Sequence, residues 1–189
     1  MSFHIKKPDS IANVLFVDTE TTGVSENDEP ISIAAVLTEV NIHTGLITNE
    51  VATYYGLREP FCQISQGAFS VHGITKASLK GKEFDIRELY SMFSVASVIV
   101  AHNAKFDKRM LRFLNDESHN WGCSCWDVDW PIEIGGRSLT AICEYFSIEK
   151  EFPHNALSDT RAMMAALQQK NHIDQTYLKL LLNNSLKIK

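Results

Sequence analysis

Five side chains in three short segments could do chemistry together. They are Asp18 and Glu20 in Asp18-Thr19-Glu20-Thr21-Thr22-Gly23, Asp107 closing His102-Asn103-Ala104-Lys105-Phe106-Asp107, and the pair His154 and Asp159 in His154-Asn155-Ala156-Leu157-Ser158-Asp159. Asp18 ends a continuous apolar run from Asn13, which reads as a buried strand. Residues two apart on a strand share a face, so Asp18 and Glu20 project side by side in line with Val14 and Phe16. Adjacent carboxylates on a mostly buried strand repel each other and lose hydration, so stability alone gives little reason to place them there. Divalent cations would neutralise them, and hard oxygen ligands suit Mg²⁺ or Mn²⁺. Taken alone, the segment also reads as a polar strand end turning into a loop.

Asp107 stands at position i with Met110, Leu111 and Leu114 at i+3, i+4 and i+7, the apolar stripe of a helix. An acid on the stripe that packs against a sheet needs a partner. The opposite stripe repeats the spacing with Lys105, Lys108, Arg109 and Arg112, a set that suits either a phosphate backbone or a solvated face. Asp159 shares a helix face with Ala162, Met163 and Ala166, and small alanines let a helix approach a sheet closely. His154 lies just before that helix in a Phe152-Pro153-His154 loop.

The elements that must position these groups follow from periodicity. Asn13–Asp18 is one strand, and the β-rich stretches Ile31–Val40 and Gly45–Tyr55 predict two antiparallel partners. Val95–Ala101 is a second buried strand, and Trp121–Val128 a short one. Helices are predicted over Phe84–Phe93, Ala104–Leu114, Ser138–Phe146, Leu157–Gln169 and Gln175–Leu182. Strands first, then alternating strands and helices, imply an α/β fold with a mixed sheet flanked by helices. At 189 residues the chain fits one domain. No apolar run approaches the roughly 20 residues needed to span a membrane. The N-terminus lacks an apolar stretch of signal-peptide length, so the protein is expected to be cytoplasmic, with no membrane partner. Cys62, Cys123, Cys125 and Cys143 form no disulfide framework, and Cys123-Ser124-Cys125 near His119 lacks zinc-finger spacing, so reduced thiols are expected.

Together the three segments resemble the DEDDh exonuclease family, the DnaQ-like group that contains the proofreading subunit of bacterial replicative polymerase and RNase T. Asp18-Thr-Glu20-Thr-Thr-Gly23 is similar to its first motif, His102-Asn-Ala-Lys-Phe-Asp107 to its second, and His154-x4-Asp159 to its third in the histidine subtype. Val71-His72-Gly73-Ile74-Thr75 resembles a segment that contacts the nucleic-acid strand end. The likeness covers about residues 13 to 170; Trp121–Pro131 matches least specifically.

The resemblance implies an RNase H-like fold with a five-stranded mixed sheet, in a single exonuclease domain over residues 1–189. It implies a 3′→5′ exonuclease hydrolysing terminal phosphodiesters of single-stranded DNA or RNA with two Mg²⁺ or Mn²⁺ ions. Asp18 would bridge both ions, Glu20 and Asp159 would complete the first site, and Asp107 would hold the second. His154 would be the general base, because an imidazole titrates near neutral pH. Thr21, Gly23 and His72 would line the pocket for the terminal nucleotide, Asn103 would brace its loop, and Phe106 would be core. A net charge of −5 suits contact with a short strand end better than with a long basic groove. Two alternatives use similar residues. One is a catalytically silent module of the same fold that binds nucleic-acid ends or a polymerase. The other is an RNase H-like endonuclease, which would not need the His-x4-Asp arrangement. The chain ends 20 residues past Gln169, which favours a stand-alone enzyme over a polymerase subunit. The apolar helix Tyr177–Leu182 is expected either to cap the core or to form a homodimer contact.

Overall fold

The computed structural model describes residues 10–114, 118–152 and 154–186. The N-terminal reading above falls on residues 1–9 and lies outside them.

The apolar run at the start forms β1 (Ile11–Thr21) at the centre of a five-stranded sheet. It has no polar face until its end because it is covered on both sides: Val14, Leu15, Phe16 and Val17 are all fully buried. β2 (Pro30–Asn41) and β3 (Ile47–Leu57) follow as antiparallel neighbours, and β4 (Val98–Ala101) and β5 (Trp121–Cys123) complete the order β3-β2-β1-β4-β5. β4 runs parallel to β1 and β5 parallel to β4. The mixed sheet flanked by helices is the RNase H-like arrangement expected.

Helices cover both faces. α2 (Ile86–Val95) and α3 (Ala104–Met110) lie over Leu15, Val17 and Ile33, contributing Leu89 and Phe93 to that core, with Leu111 just past α3. On the other face, α5 (Ala156–Leu167) and α6 (Tyr177–Ser185) bring Met163, Leu167, Leu178 and Leu181 against Val14 and Phe16. Tyr177, Leu178, Leu181 and Leu182 are buried within the chain itself, so α6 caps the core and does not offer that face to a second copy. No helix among the described residues is long and apolar enough to cross a membrane.

Several boundaries differ from the periodicity. Val95 ends α2, and β4 begins only at Val98. The stretch Trp121–Val128 is a strand only to Cys123. There the chain turns, with Asp127 accepting from the Cys123 amide at 2.8 Å and the Trp130 indole donating to the Ser124 carbonyl at 2.7 Å. The Trp130 ring then packs 4.5 Å from Tyr177, so the least recognisable segment ties the sheet edge to α6. The helix α1 (Gln66–His72) has no buried residue and therefore no apolar stripe by which to foresee it. It is capped by Ser65, whose hydroxyl accepts from the Ala68 amide at 3.1 Å. α4 (Leu139–Tyr145) is capped in the same way by Ser138. All four cysteines are free thiols.

Candidate active site

β1 pairs with β4 only from Val14 to Phe16, but with β2 along its whole length. Asp18 and Glu20 therefore run past the end of β4, on the face shared with Phe16. A register irregularity between Glu20 and Thr21 ends the regular pairing there, and such a bulge re-aims the side chains beside it. α5 lies across this strand end. Ala162, Met163 and Ala166 are buried against the sheet, so Asp159 on the same stripe is carried down to β1. One ligand oxygen from each of Asp18, Glu20 and Asp159 lies within 4.8 Å of the others, the one such cluster among the described residues.

Asp107 arrives from the opposite face. It is 2% exposed, and Thr19, which points to that side of β1, donates to Asp107 Oδ1 at 2.8 Å. Met110, Leu111 and Leu114 are buried with it, as the stripe required. The strand end thus gathers four carboxyl groups from three elements and both faces of the sheet.

Crowding and burial act on Asp18, Glu20 and Asp107. Burial raises Asp18 well above the usual carboxylate range, and the charges of Asp107, Glu20 and Asp159 push it the same way. Burial first, then Asp159 and Asp107, raise Glu20 to about 8. Asp107 rises to about 7 through burial, despite the opposing Thr19 hydrogen bond. This is a site that wants positive charge.

Sequence reasoning missed the cation already there. The Lys150 ammonium lies 3.2 Å from Asp159 Oδ1, with side chains only 9% and 12% exposed, and its charge opposes the shifts at Asp18 and Glu20. That approach is not aligned as a hydrogen bond, and Asp159 Oδ1 is left buried with no hydrogen-bond partner. A buried carboxylate oxygen without a hydrogen bond, on an acid that clusters with two others, fits a hard divalent cation. No pattern pointed to Lys150, because it lies in a loop without periodicity.

These shifts set the pH response of the metal-free protein. A carboxyl group whose folded value lies above its ordinary value stabilises the fold fully below the ordinary value and loses that contribution as pH rises through the folded one. For Glu20 the window runs from 4.5 to about 8. In EDTA the Tm is expected to fall between about pH 5 and about pH 8.5, and Mg²⁺ should raise it more at the upper end, where the ligands are free of protons. Differential scanning fluorimetry checks this; a Tm that rises over that range would rule out a crowded carboxyl cluster.

Beside the acids is a pocket of about 280 Å³ lined by Glu20, Thr21, Gly23, Val24, Ser65, Val71, His72 and Phe106 among others. Thr21, Gly23 and His72 all border this cavity. The Ile74 amide donates to His72 Nδ1 at 3.0 Å, so the ring proton sits on Nε2 and donates to the Thr21 carbonyl at 3.1 Å. Burial holds His72 below the ordinary imidazole value, keeping this neutral tautomer. Gly23 is required by space: a Cβ there would stand 2.6 Å from Asp28 Oδ2. Asp28 closes the loop by accepting from Thr22 at 2.8 Å and the Ser25 amide at 2.7 Å.

Two expectations need correction. Phe106 is not core: it is half-buried and lines this pocket. Its neighbour Asp107 takes the inward position on α3, which turns Phe106 outward. Asn103 does not brace its loop with a side-chain cap; it sits at φ 65, the left-handed conformation that Asn tolerates, and is exposed.

His154 is not part of the carboxylate cluster. It is exposed, at φ 59, immediately before Asn155, whose side chain caps α5 by accepting from Leu157 and Ser158 at 3.1 and 3.2 Å. It is near enough to His72 for its charge to add, after burial, to the lowering of that imidazole.

Comparison with known proteins agrees with this geometry. The exonuclease model of the RNase T type matches residues 15–167. The chain is 32% identical over 171 residues to a PolC-type DNA polymerase III of Thermotoga petrophila, matching 80% of this chain but 11% of that protein. It is 34% identical over 165 residues to the DNA polymerase III subunit epsilon of Buchnera aphidicola, covering 77% of this chain and 67% of the relative. Among solved structures, E. coli exonuclease I in complex with single-stranded DNA superposes with a TM-score of 0.68 at 18% identity, over 92% of this chain and 41% of that one. Exonuclease X in complex with 5′ overhanging duplex DNA superposes with a TM-score of 0.57 at 22% identity, over 88% and 99%. With the family model spanning most of its length and the acids of all three motifs converging at the end of β1, the chain belongs to the DnaQ-like exonuclease family.

Proposed function

We propose that this chain is a 3′→5′ exonuclease that hydrolyses the terminal phosphodiester of single-stranded DNA or RNA. The observation that carries the reading is the meeting of Asp18, Glu20 and Asp159 within 4.8 Å, with Asp107 behind them, beside a pocket of a size to hold one nucleotide. The 3′→5′ direction rests on the motif resemblance, and the single-stranded substrate also on the exonuclease I complex. The polymerase relatives make a polymerase-associated proofreading role part of the same proposal, beside end-trimming by a free enzyme, with cytoplasmic work in either case.

Asp18, Glu20 and Asp159 would hold one Mg²⁺ or Mn²⁺, with Asp107 contributing to a second. Bound divalent ions would supply Lewis-acid stabilisation of the attacking and leaving oxygens. The chain's own residues do the rest. His72 fixes the Thr21 carbonyl, and Thr21 in turn donates to the Gly23 carbonyl at 2.6 Å, so the pocket wall is rigid before a nucleotide enters. His154 would take the proton from the attacking water. Lys150 would balance the carboxylates until the ions arrive.

The test compares 3′-labelled and 5′-labelled single-stranded DNA and RNA. A 3′ label should be released first as a mononucleotide, a circular single strand should survive, and EDTA should abolish cleavage. Cleavage of the circle, or full activity in EDTA, overturns the proposal.

A further inference from the structure

The terminal-nucleotide pocket is not closed on the side of α3. Phe106 lines it and also lines a second groove, of about 480 Å³, whose other walls are Asn103, Lys105, Lys108, Arg109 and Arg112. The two cavities are therefore neighbours across one aromatic ring. Four of this groove's six lining residues are cationic, on a chain whose net charge is −5. Lys105, Lys108 and Arg112 are exposed, and none forms an ion pair with a described residue. Arg109 is employed differently. Its guanidinium lies 5.3 Å from the Phe106 ring centroid and donates to the Val24 carbonyl at 2.8 Å, tying α3 to the loop that bounds the first pocket. Its Nε is buried without a hydrogen-bond partner.

An aromatic ring held by an arginine, next to exposed cations, is the chemistry that grips a single strand: bases stack on the ring and phosphates meet the charges. Lys105 and Arg112 lie seven residues apart, along α3 and the turn that follows it, a separation of roughly 10 Å that leaves room for more than one phosphate. We propose that this groove is the path of the strand upstream of the terminal nucleotide, with Phe106 as the stacking platform between the two subsites and Lys105, Lys108 and Arg112 as phosphate contacts. The proposal rests on the exonuclease reading above. The groove recognises a phosphodiester-linked single strand through its backbone, so it should accept DNA and RNA alike.

The experiment uses a substrate that fills only the first pocket, the p-nitrophenyl ester of thymidine 5′-monophosphate, beside dodecamers of thymidylate and of uridylate, all with Mn²⁺. The variant is the triple substitution Lys105→Gln, Lys108→Gln and Arg112→Gln, at exposed positions where loss of the fold is not expected. It should cleave the ester as the wild type does and lose about tenfold or more in kcat/KM on both dodecamers. Each lost phosphate contact should lower the slope of log kcat/KM against log salt by about 0.7, so by about 2 for the three. Phe106→Leu, which keeps an apolar side chain but removes the ring, should also cost the dodecamers about tenfold or more. Equal activity of the triple variant on dodecamers with an unchanged salt slope overturns the path. So does an equal loss on ester and dodecamers, which would place the cations' effect in the catalytic centre. Failure of the wild type on every substrate would instead overturn the functional reading.

Discussion

Asp18→Ala is expected to abolish cleavage while leaving a folded, and in EDTA more heat-stable, protein. Asp18 is the acid on which the other three press: Asp107, Glu20 and Asp159 all raise it, on top of burial. Removing it takes away a partner that the proposed ions cannot do without, and it also takes away the centre of the repulsion. Ions in such a site stabilise charge by several kcal/mol, so their loss corresponds to a rate decrease of about 10³-fold or more. The gain in Tm should be largest near about pH 8, where the metal-free cluster is forced to ionise, and should shrink near about pH 5, where protons already relieve it. Circular dichroism, Tm in EDTA across that range, and turnover of a labelled oligonucleotide with Mn²⁺ measure all three. Activity within a factor of about ten of wild type would count against metal holding by Asp18. An unfolded variant would give the residue a structural role.

The second large effect separates His154 from the acids. A general base contributes about 10²–10⁴-fold, so His154→Ala should slow hydrolysis by that much and leave Mn²⁺ affinity almost unchanged. Asp159→Ala should lose both. At saturating metal the wild-type rate should rise with pH, because only the neutral ring accepts a proton, and His154→Ala should flatten the rise. Metal-bound water also ionises with pH, so the profile is repeated with Mg²⁺ and Mn²⁺; a limb that moves with the ion belongs to the water. The backbone gives an independent handle. His154 sits at φ 59, where an L side chain costs about 1–2 kcal/mol and glycine almost nothing. His154→Gly should therefore be more stable than His154→Ala and equally slow. If His154→Ala keeps the wild-type rate and the same pH rise, the ring is a bystander.

The acids were legible in the sequence because each breaks a pattern that packing would otherwise keep. Asp18 and Glu20 interrupt the period-two face of Val14 and Phe16, and Asp107 and Asp159 interrupt the 3.6-residue stripes of α3 and α5. Burial dictates those periods, so a charge that violates them is visible without coordinates. The strands β1, β2 and β3 and the helices α3 and α5 were legible for the same reason. Helix α1 was not, because it buries nothing and leaves no stripe. The short strand β5 was overextended because its edge position needs only three residues of pairing, and apolarity continues beyond Cys123 for packing against α6.

The sequence by itself determined the fold class, the family and which carboxyl groups gather at the end of β1, since those depend on local periodicity and on motifs short enough to read. Tertiary structure alone decided what surrounds them. Lys150 reaches Asp159 from a loop that carries no periodic signal, and Thr19 joins Asp107 across 88 residues. Phe106 follows the same logic: its place between pocket and groove is set by Asp107 claiming the buried side of α3. Contacts between segments far apart in the chain depend on how helices settle on a sheet. That is fixed by the packing of whole faces and by no residue's own neighbours in sequence.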